Sequence, residues 1–227
     1  MKLYIANKNY SSWSLRPWVL MREKGIPFAE IITPFADNSD ASPFKNFSPT
    51  SKVPCLDDAG TLVWDSLAIC EYLAEKEPAC WPADRVARAW ARSASAEMHS
   101  SFQTLRTQCQ MNCGVRVTLN QIDDALRADI ERVSALFCDG LQRFGGPYLA
   151  GKTYTIVDAF FAPVIFRIQS YGLSVATPAQ AYVKHVLALP SMRQWYDEAM
   201  QEVWRKDVYE KSVASYGLIT ADERVKA

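Results

Sequence analysis

Three short stretches place polar side chains where the starts of helices and strands could put them to chemical use. Asn9-Tyr10-Ser11-Ser12-Trp13-Ser14 lies between an apolar run and an amphipathic segment. With Ser14 as N-cap, Pro17 falls in the first helical turn, where its missing N–H costs little. Ser11 and Ser12 then stand just ahead of a helix N-terminus, whose free N–H groups and dipole favour a thiolate or an oxyanion. An ordinary capped loop is the other reading of these residues. Lys52-Val53-Pro54-Cys55-Leu56 sets a proline at the start of an inner strand, where it removes a ladder bond. Either Val53–Pro54 is cis and turns the Val53 backbone outward to pair with an extended peptide, or the proline sits on a sheet edge. Asp65-Ser66 opens a helix, so the hydroxyl and the helix N–H groups form a cradle for a carboxylate, with Asp65 beside it to meet an ammonium group. Simple N-capping is the alternative there.

Other polar residues point elsewhere. Thr155-Ile156-Val157-Asp158 reads as a variant capping box, which serves folding rather than catalysis. His99 and His185 lie in different helices with no Ser or Cys at a telling spacing, and read as structural or surface residues. The six cysteines form no C-x-x-C pair and read as reduced thiols in or near the core. Cys109 and Cys113 share a predicted helical face with no histidine near, so no metal is expected.

The elements that position these stretches fall into two groups. Up to residue 76 short strands and helices alternate, and beyond residue 84 nearly everything has helical period. Strands are predicted over Lys2–Ala6 and Phe28–Thr33, with a helix over Leu15–Lys24 ending at Gly25. After a polar stretch reaching Thr50, strands at Val53–Leu56 and Thr61–Trp64 are joined by Asp57-Asp58-Ala59-Gly60, and Asp65-Ser66 caps a helix to Lys76. That order suits a small mixed sheet with helices against it. Glu77–Asp84, with two prolines, is a linker. Trp90, Ala94, Met98, Phe102, Leu105, Cys109 and Cys113 then follow helical steps, as do Ile122 through Phe144, a run closed by Gly145-Gly146-Pro147. Thr155–Tyr171, Pro178–Leu187 and Ser191–Val203 are further helices, and Ser212–Ala227 is a polar tail assigned to no element. The predicted division is a domain over 1–78, a helical domain over 84–210 and a tail over 211–227.

Of the 227 residues, 49% are hydrophobic and 22% charged, enough for a sizeable core and unlike a disordered chain. With 25 basic and 25 acidic residues, neither nucleic acid nor an anionic membrane surface is an expected partner. No stretch reaches the ~18 apolar residues of a spanning helix, and Met1–Tyr10 has no apolar centre of a signal peptide, so a cytoplasmic protein is expected.

Taken together and in this order, these stretches resemble the soluble glutathione transferases over Lys2 to about Val203. Ser11-Ser12-Trp13-Ser14-Leu15-Arg16 is similar to the serine-containing stretch of the zeta class, Val53-Pro54 to the family's cis-proline site, and Asp65-Ser66 to its acid-Ser pair. Thr155–Asp158 with Pro163 resembles the capping box and helix of its second domain. The resemblance implies a thioredoxin-like α/β N-terminal domain followed by an all-α C-terminal domain, with glutathione as co-substrate. It implies that Ser11 hydrogen-bonds the glutathione sulfur, with Ser12 as fallback. Val53, beside Pro54, would pair with the cysteinyl backbone; Asp65 and Ser66 would hold the γ-glutamyl end, and Lys52 would lie near the glycyl carboxylate. A small, apolar electrophile would meet the sulfur between the domains, in a pocket lined by Ser12, Trp13, Met98, Phe102 and Arg106, and the protein would be a homodimer. Trp13 stands where zeta enzymes carry Cys. Zeta-class maleylacetoacetate isomerases carry an Arg twelve residues beyond the capping-box Asp; here that residue is Ser170, with Arg167 one turn earlier. The expectation is therefore a transferase rather than an efficient isomerase, its alternatives a catalytically silent binding or regulatory protein or a glutathione-dependent isomerase of the maleylacetoacetate type. Thiol reduction of the omega type lacks its Cys, because Ser11 occupies the slot.

Overall fold

The computed structural model describes residues 1–36 and 42–226, so part of the polar stretch that precedes Thr50 lies outside the described residues. Strand β1 (Lys2–Ile5) and helix α1 (Ser12–Glu23) lead into β2 (Ala29–Ile32), which runs parallel to β1 in register Lys2 to Ala29. Strand β3 (Cys55–Asp58) pairs antiparallel with β1 and with β4 (Thr61–Trp64), giving the sheet order β2-β1-β3-β4. Leu3 and Ile5 point into the core, as the period-2 alternation of a strand requires, while Tyr4 on the other face stacks on Phe47 with ring centroids 4.3 Å apart. Helix α2 (Ser66–Lys76) follows the hairpin, and Pro78–Cys80 forms a short 3-10 turn inside the linker.

The helical region contains α3 (Arg85–Ser100), α4 (Gln103–Gln108), α5 (Asp124–Phe144), α6 (Ile156–Tyr171), α7 (Thr177–Leu187), α8 (Pro190–Met200) and α9 (Asp207–Tyr216). Two readings of the sequence need correcting here. The apolar steps from Trp90 to Cys113 are not one helix: Phe102 adopts a left-handed φ of 64°, which stops α3, and after α4 the chain becomes β5 (Val115–Leu119). Cys109 and Cys113 therefore share no helical face, and Cys113 Sγ lies 3.6 Å from the Lys8 carbonyl. Burial pushes the thiols of Cys80 and Cys109 up to about 11 and about 12. These sulfurs stay protonated and act as packing atoms.

The tail is ordered. Its residues complete α9 and form β6 (Gly217–Asp222), which pairs antiparallel with β5 from Leu119 opposite Gly217 to Val115 opposite Asp222, with a bulge at Arg116/Val117. The helical domain thus carries a two-stranded sheet at its edge. Gly217 permits the pairing, because a Cβ there would stand 2.6 Å from the Thr118 carbonyl oxygen. Helix α6, buried along almost its whole length, packs against both α1 and α3 and so joins the two regions. Lys8 adds a second join: its buried ammonium sits 5.0 Å from the Trp18 ring and 5.4 Å from Trp195, and it pairs with Glu30 at 2.7 Å and with Glu198. No described helix is long and apolar enough to cross a membrane.

Candidate active site

Two adjoining clefts meet at Trp13, Lys52 and Val53. One, of about 330 Å³, is bounded also by Thr50, Pro54, Trp64, Asp65 and Ser66. The other, of about 420 Å³, is walled by Ser11 and Ser12, by Arg106 and Arg167, and by Tyr10, Phe35, Gln103, Gln110 and Tyr209 among others. The three polar stretches singled out in the sequence therefore converge on one groove between sheet and helices.

Helix α1 starts a turn earlier than expected. Ser11, not Ser14, is its N-cap, with φ −81° and ψ 76°, and Pro17 falls in the second turn. Ser11 Oγ donates to Ser14 Oγ at 2.7 Å, and Ser14 Oγ accepts the Ala6 N–H at 3.4 Å. That use of Ser14 is why it is not the cap. Ser12, the first helical residue, has a hydroxyl that pairs with no other side chain among the described residues. Tyr10 is excluded as a proton donor to a ligand, since its phenol donates to Glu210 Oε1 at 2.6 Å. Burial, followed by that carboxylate, pushes its pKa far above the usual phenol range.

Val53–Pro54 is cis and leads into β3, which resolves the two readings of this proline. Lys52 is exposed at the rim. Asp65 caps α2 at a φ of 56°, unusual for a residue other than glycine, and its Oδ1 accepts the Leu67 N–H at 2.8 Å. Ser66 is buried and accepts a hydrogen bond from Arg16 Nη1 at 3.4 Å.

Arg16 and His99, to which the sequence reading gave no role in the site, pack against the cleft residues Trp13, Asp65 and Ser66. The buried Arg16 guanidinium stacks 4.2 Å from the Trp13 ring and 4.6 Å from Phe160, and its Nε has no partner among the described residues. Burial, then Arg106 and Arg167, press its pKa down. His99 Nε2 lies 3.7 Å from Asp65 Oδ1, and its ring meets Trp13 edge-on at 5.3 Å. Neither role has a local sequence signal, because each depends on how α3 and α6 dock on the first domain.

The second wall differs from expectation. Met98 and Phe102 are core residues, fully buried and nearly so, and bound neither cleft. Met98 lies on the buried face of α3 and Phe102 in the break after it, while Arg106 on α4 lines the cleft with its guanidinium 4.9 Å from the Trp13 ring. Arg106 donates to the carbonyls of Ser101, at 2.9 Å, and Met98. Arg167 donates to Cys109 O at 2.8 Å and Pro163 O at 3.2 Å, and burial, then Arg106, lower its pKa to about 10. No carboxylate pairs with Arg16, Arg106 or Arg167 among the described residues. Ser170 is off the wall and donates to Asn112 O at 2.7 Å.

Comparison with known proteins agrees with this architecture. Residues 10–76 match the family described as "Glutathione S-transferase, N-terminal domain". A probable maleylacetoacetate isomerase of Caenorhabditis elegans is 27% identical over 182 residues, 77% of this chain and 81% of that protein. A stringent starvation protein A homolog of Pasteurella multocida is 23% identical over 175 residues, 75% of this chain and 76% of that one. The crystal structure of a glutathione transferase homolog from Burkholderia, with bound glutathione, is 26% identical, with a TM-score of 0.65 over 87% of this chain and 97% of its own. Residues 10–76 thus match the N-terminal domain of the glutathione S-transferases, and the chain as a whole has the glutathione transferase fold.

Proposed function

We propose that this protein binds glutathione along the groove from Asp65-Ser66 to Ser11 and activates its thiol for attack on a small electrophile. The observation that carries the proposal is the convergence of Ser11, cis Val53–Pro54 and Asp65-Ser66 on two clefts that share Trp13, Lys52 and Val53. In this reading the γ-glutamyl end lies at Asp65 and Ser66, the cysteinyl backbone at Val53 and the glycyl carboxylate near Lys52. A free thiol with a pKa of about 8.5 is only a few per cent thiolate at neutral pH. Ser14 Oγ accepts from Ala6 N–H and so keeps its own proton available for Ser11. Ser11 can then turn its hydroxyl to the sulfur without losing its partner. Donation there, beside the N-terminus of α1, stabilises the thiolate. The thiolate forms the carbon–sulfur bond, and the leaving group departs with its electron pair. A homodimer in the cytoplasm is part of the proposal. Retention on immobilised glutathione together with turnover of an aryl halide tests it. Retention without turnover would favour a silent binding or regulatory protein, and failure of both would refute the reading.

A second reading concerns the electrophile, and the unpaired Arg106 and Arg167 in the wall favour it. They suit a substrate bearing a carboxylate, as maleylacetoacetate does, better than the apolar one expected from helix phase. A hydrogen bond to a charged group contributes about 1.5–3 kcal/mol. Arg167→Gln should therefore raise KM for maleylacetone by roughly tenfold to a hundredfold while leaving that for a neutral aryl halide within about twofold. Equal effects on both substrates would return the pocket to neutral electrophiles.

A further inference from the structure

The proposed thiol-activating serine is preceded by a segment that is held from the far end of the chain. The backbone N–H groups of Lys8 and Asn9 donate to Glu202 Oε1 and Oε2 at 2.6 and 3.1 Å, just beyond α8. Tyr10, the residue before Ser11, donates to Glu210 on α9 at 2.6 Å. Arg224 closes the arrangement. Its guanidinium donates to both Glu210 oxygens at 2.6 and 2.9 Å, to both Asp222 oxygens at 2.8 and 2.7 Å, and to Tyr10 Oη at 3.2 Å. The Arg224 side chain is only 3% exposed. Charge-assisted bonds in this bidentate form fix geometry as well as adding energy. Strand β6, paired with β5, anchors the loop that carries Arg224. The tail therefore reaches back across the molecule to the turn that aims Ser11.

We infer that Glu210 and Arg224 are positioning residues, and that the segment from α9 through β6 is a clamp that sets Ser11 Oγ at the cleft by holding Tyr10. This rests on the functional reading above. Glu210 and Arg224 line neither cleft, so loosening the clamp should spare binding and impair ionisation of the bound thiol. Ser11 would keep its place in the chain but lose its aim.

The test compares Arg224→Met, Arg224→Lys and Tyr10→Phe with the unaltered protein. Measurements are glutathione affinity by calorimetry, thiolate absorbance of the bound glutathione against pH, and amide hydrogen exchange of the peptide covering residues 7–14. In Arg224→Met the pH midpoint of the bound thiol should rise, giving roughly tenfold less thiolate below it, with affinity within about threefold. Exchange in residues 7–14 should accelerate while α5–α7 stay protected. Arg224→Lys should recover part of the shift, and Tyr10→Phe should reproduce it in a milder form. An unchanged midpoint, or unchanged exchange in residues 7–14, overturns the clamp; so does a general loss of protection in Tyr10→Phe. If the unaltered protein binds no glutathione, the functional reading fails, and the exchange measurement alone decides the clamp.

Discussion

Replacing Ser11 with alanine should lower transferase turnover by about 10²–10³-fold, the loss typical of removing one preorganised donor to a developing anion. Glutathione affinity should change little, because in the proposed mode the tripeptide would be held mainly at Val53, Asp65 and Ser66, which line the adjoining cleft. The expected signature is a fall in kcat and kcat/KM together, with the acid limb of the pH profile displaced upward, since the thiol then ionises without its donor. Ser14→Ala should give a smaller loss of the same kind, because Ser14 only supports the Ser11 hydroxyl, at 2.7 Å. Steady-state kinetics from pH 5.5 to 9 on the three proteins distinguishes these effects. Ser12 is the competing donor, with a hydroxyl that meets no other side chain among the described residues and on the same wall. Full activity in Ser11→Ala with its loss in Ser12→Ala would move the role by one residue.

The uncertainty between those serines shows which part of the site local rules can read. Helix starts, a strand proline and an acid-Ser cap are fixed by interactions within a few residues, so Ser11, Pro54 and Asp65-Ser66 stood out. The choice of cap did not, because Ser11, Ser12 and Ser14 are all good caps, and a tertiary bond from Ala6 N–H decides that Ser14 points elsewhere. The helical domain was read through its 3.6-residue period, which holds for α5 and α6. The same steps ran on without interruption through Phe102, whose left-handed backbone ends α3. Strand β5 was hidden for a related reason: its pairing partner β6 lies about a hundred residues later, in a tail that has no apolar period of its own. Once α3 was taken to continue, Met98 and Phe102 were assigned to the pocket. Arg106, expected there, does line the cleft, whereas Gln110, in the break after α4, and Tyr209, on α9, were not among the expected residues.

The capping box at Thr155–Asp158, also legible in the sequence, supports the largest expected change in stability. Asp158 is fully buried; its Oδ2 accepts the Thr155 N–H at 2.8 Å and hydroxyl at 3.2 Å, and its Oδ1 accepts the Leu149 N–H at 2.9 Å and the Tyr182 hydroxyl at 3.0 Å. Alanine would leave those donors buried without acceptors, so Asp158→Ala should cost about 3–5 kcal/mol, the range for breaking one side of a buried charged network. Asparagine keeps an acceptor and is the better probe of charge. Burial raises the Asp158 carboxyl to about 6, and the four hydrogen bonds only partly offset that rise. The folded state therefore holds the Asp158 proton more tightly than the unfolded chain, whose carboxyl has a pKa of about 3.9. Stability from this group is fully present below pH ~3.9 and is lost as pH rises through about 6. Between pH 4.5 and 7.5 the stability advantage of the unaltered protein over Asp158→Asn should shrink, by no more than about 3 kcal/mol. Other titrating groups are common to both proteins and cancel in the difference. Urea unfolding of both at the two pH values measures it. An advantage that grows with pH would mean that the four donors outweigh burial and hold the carboxylate ionised throughout.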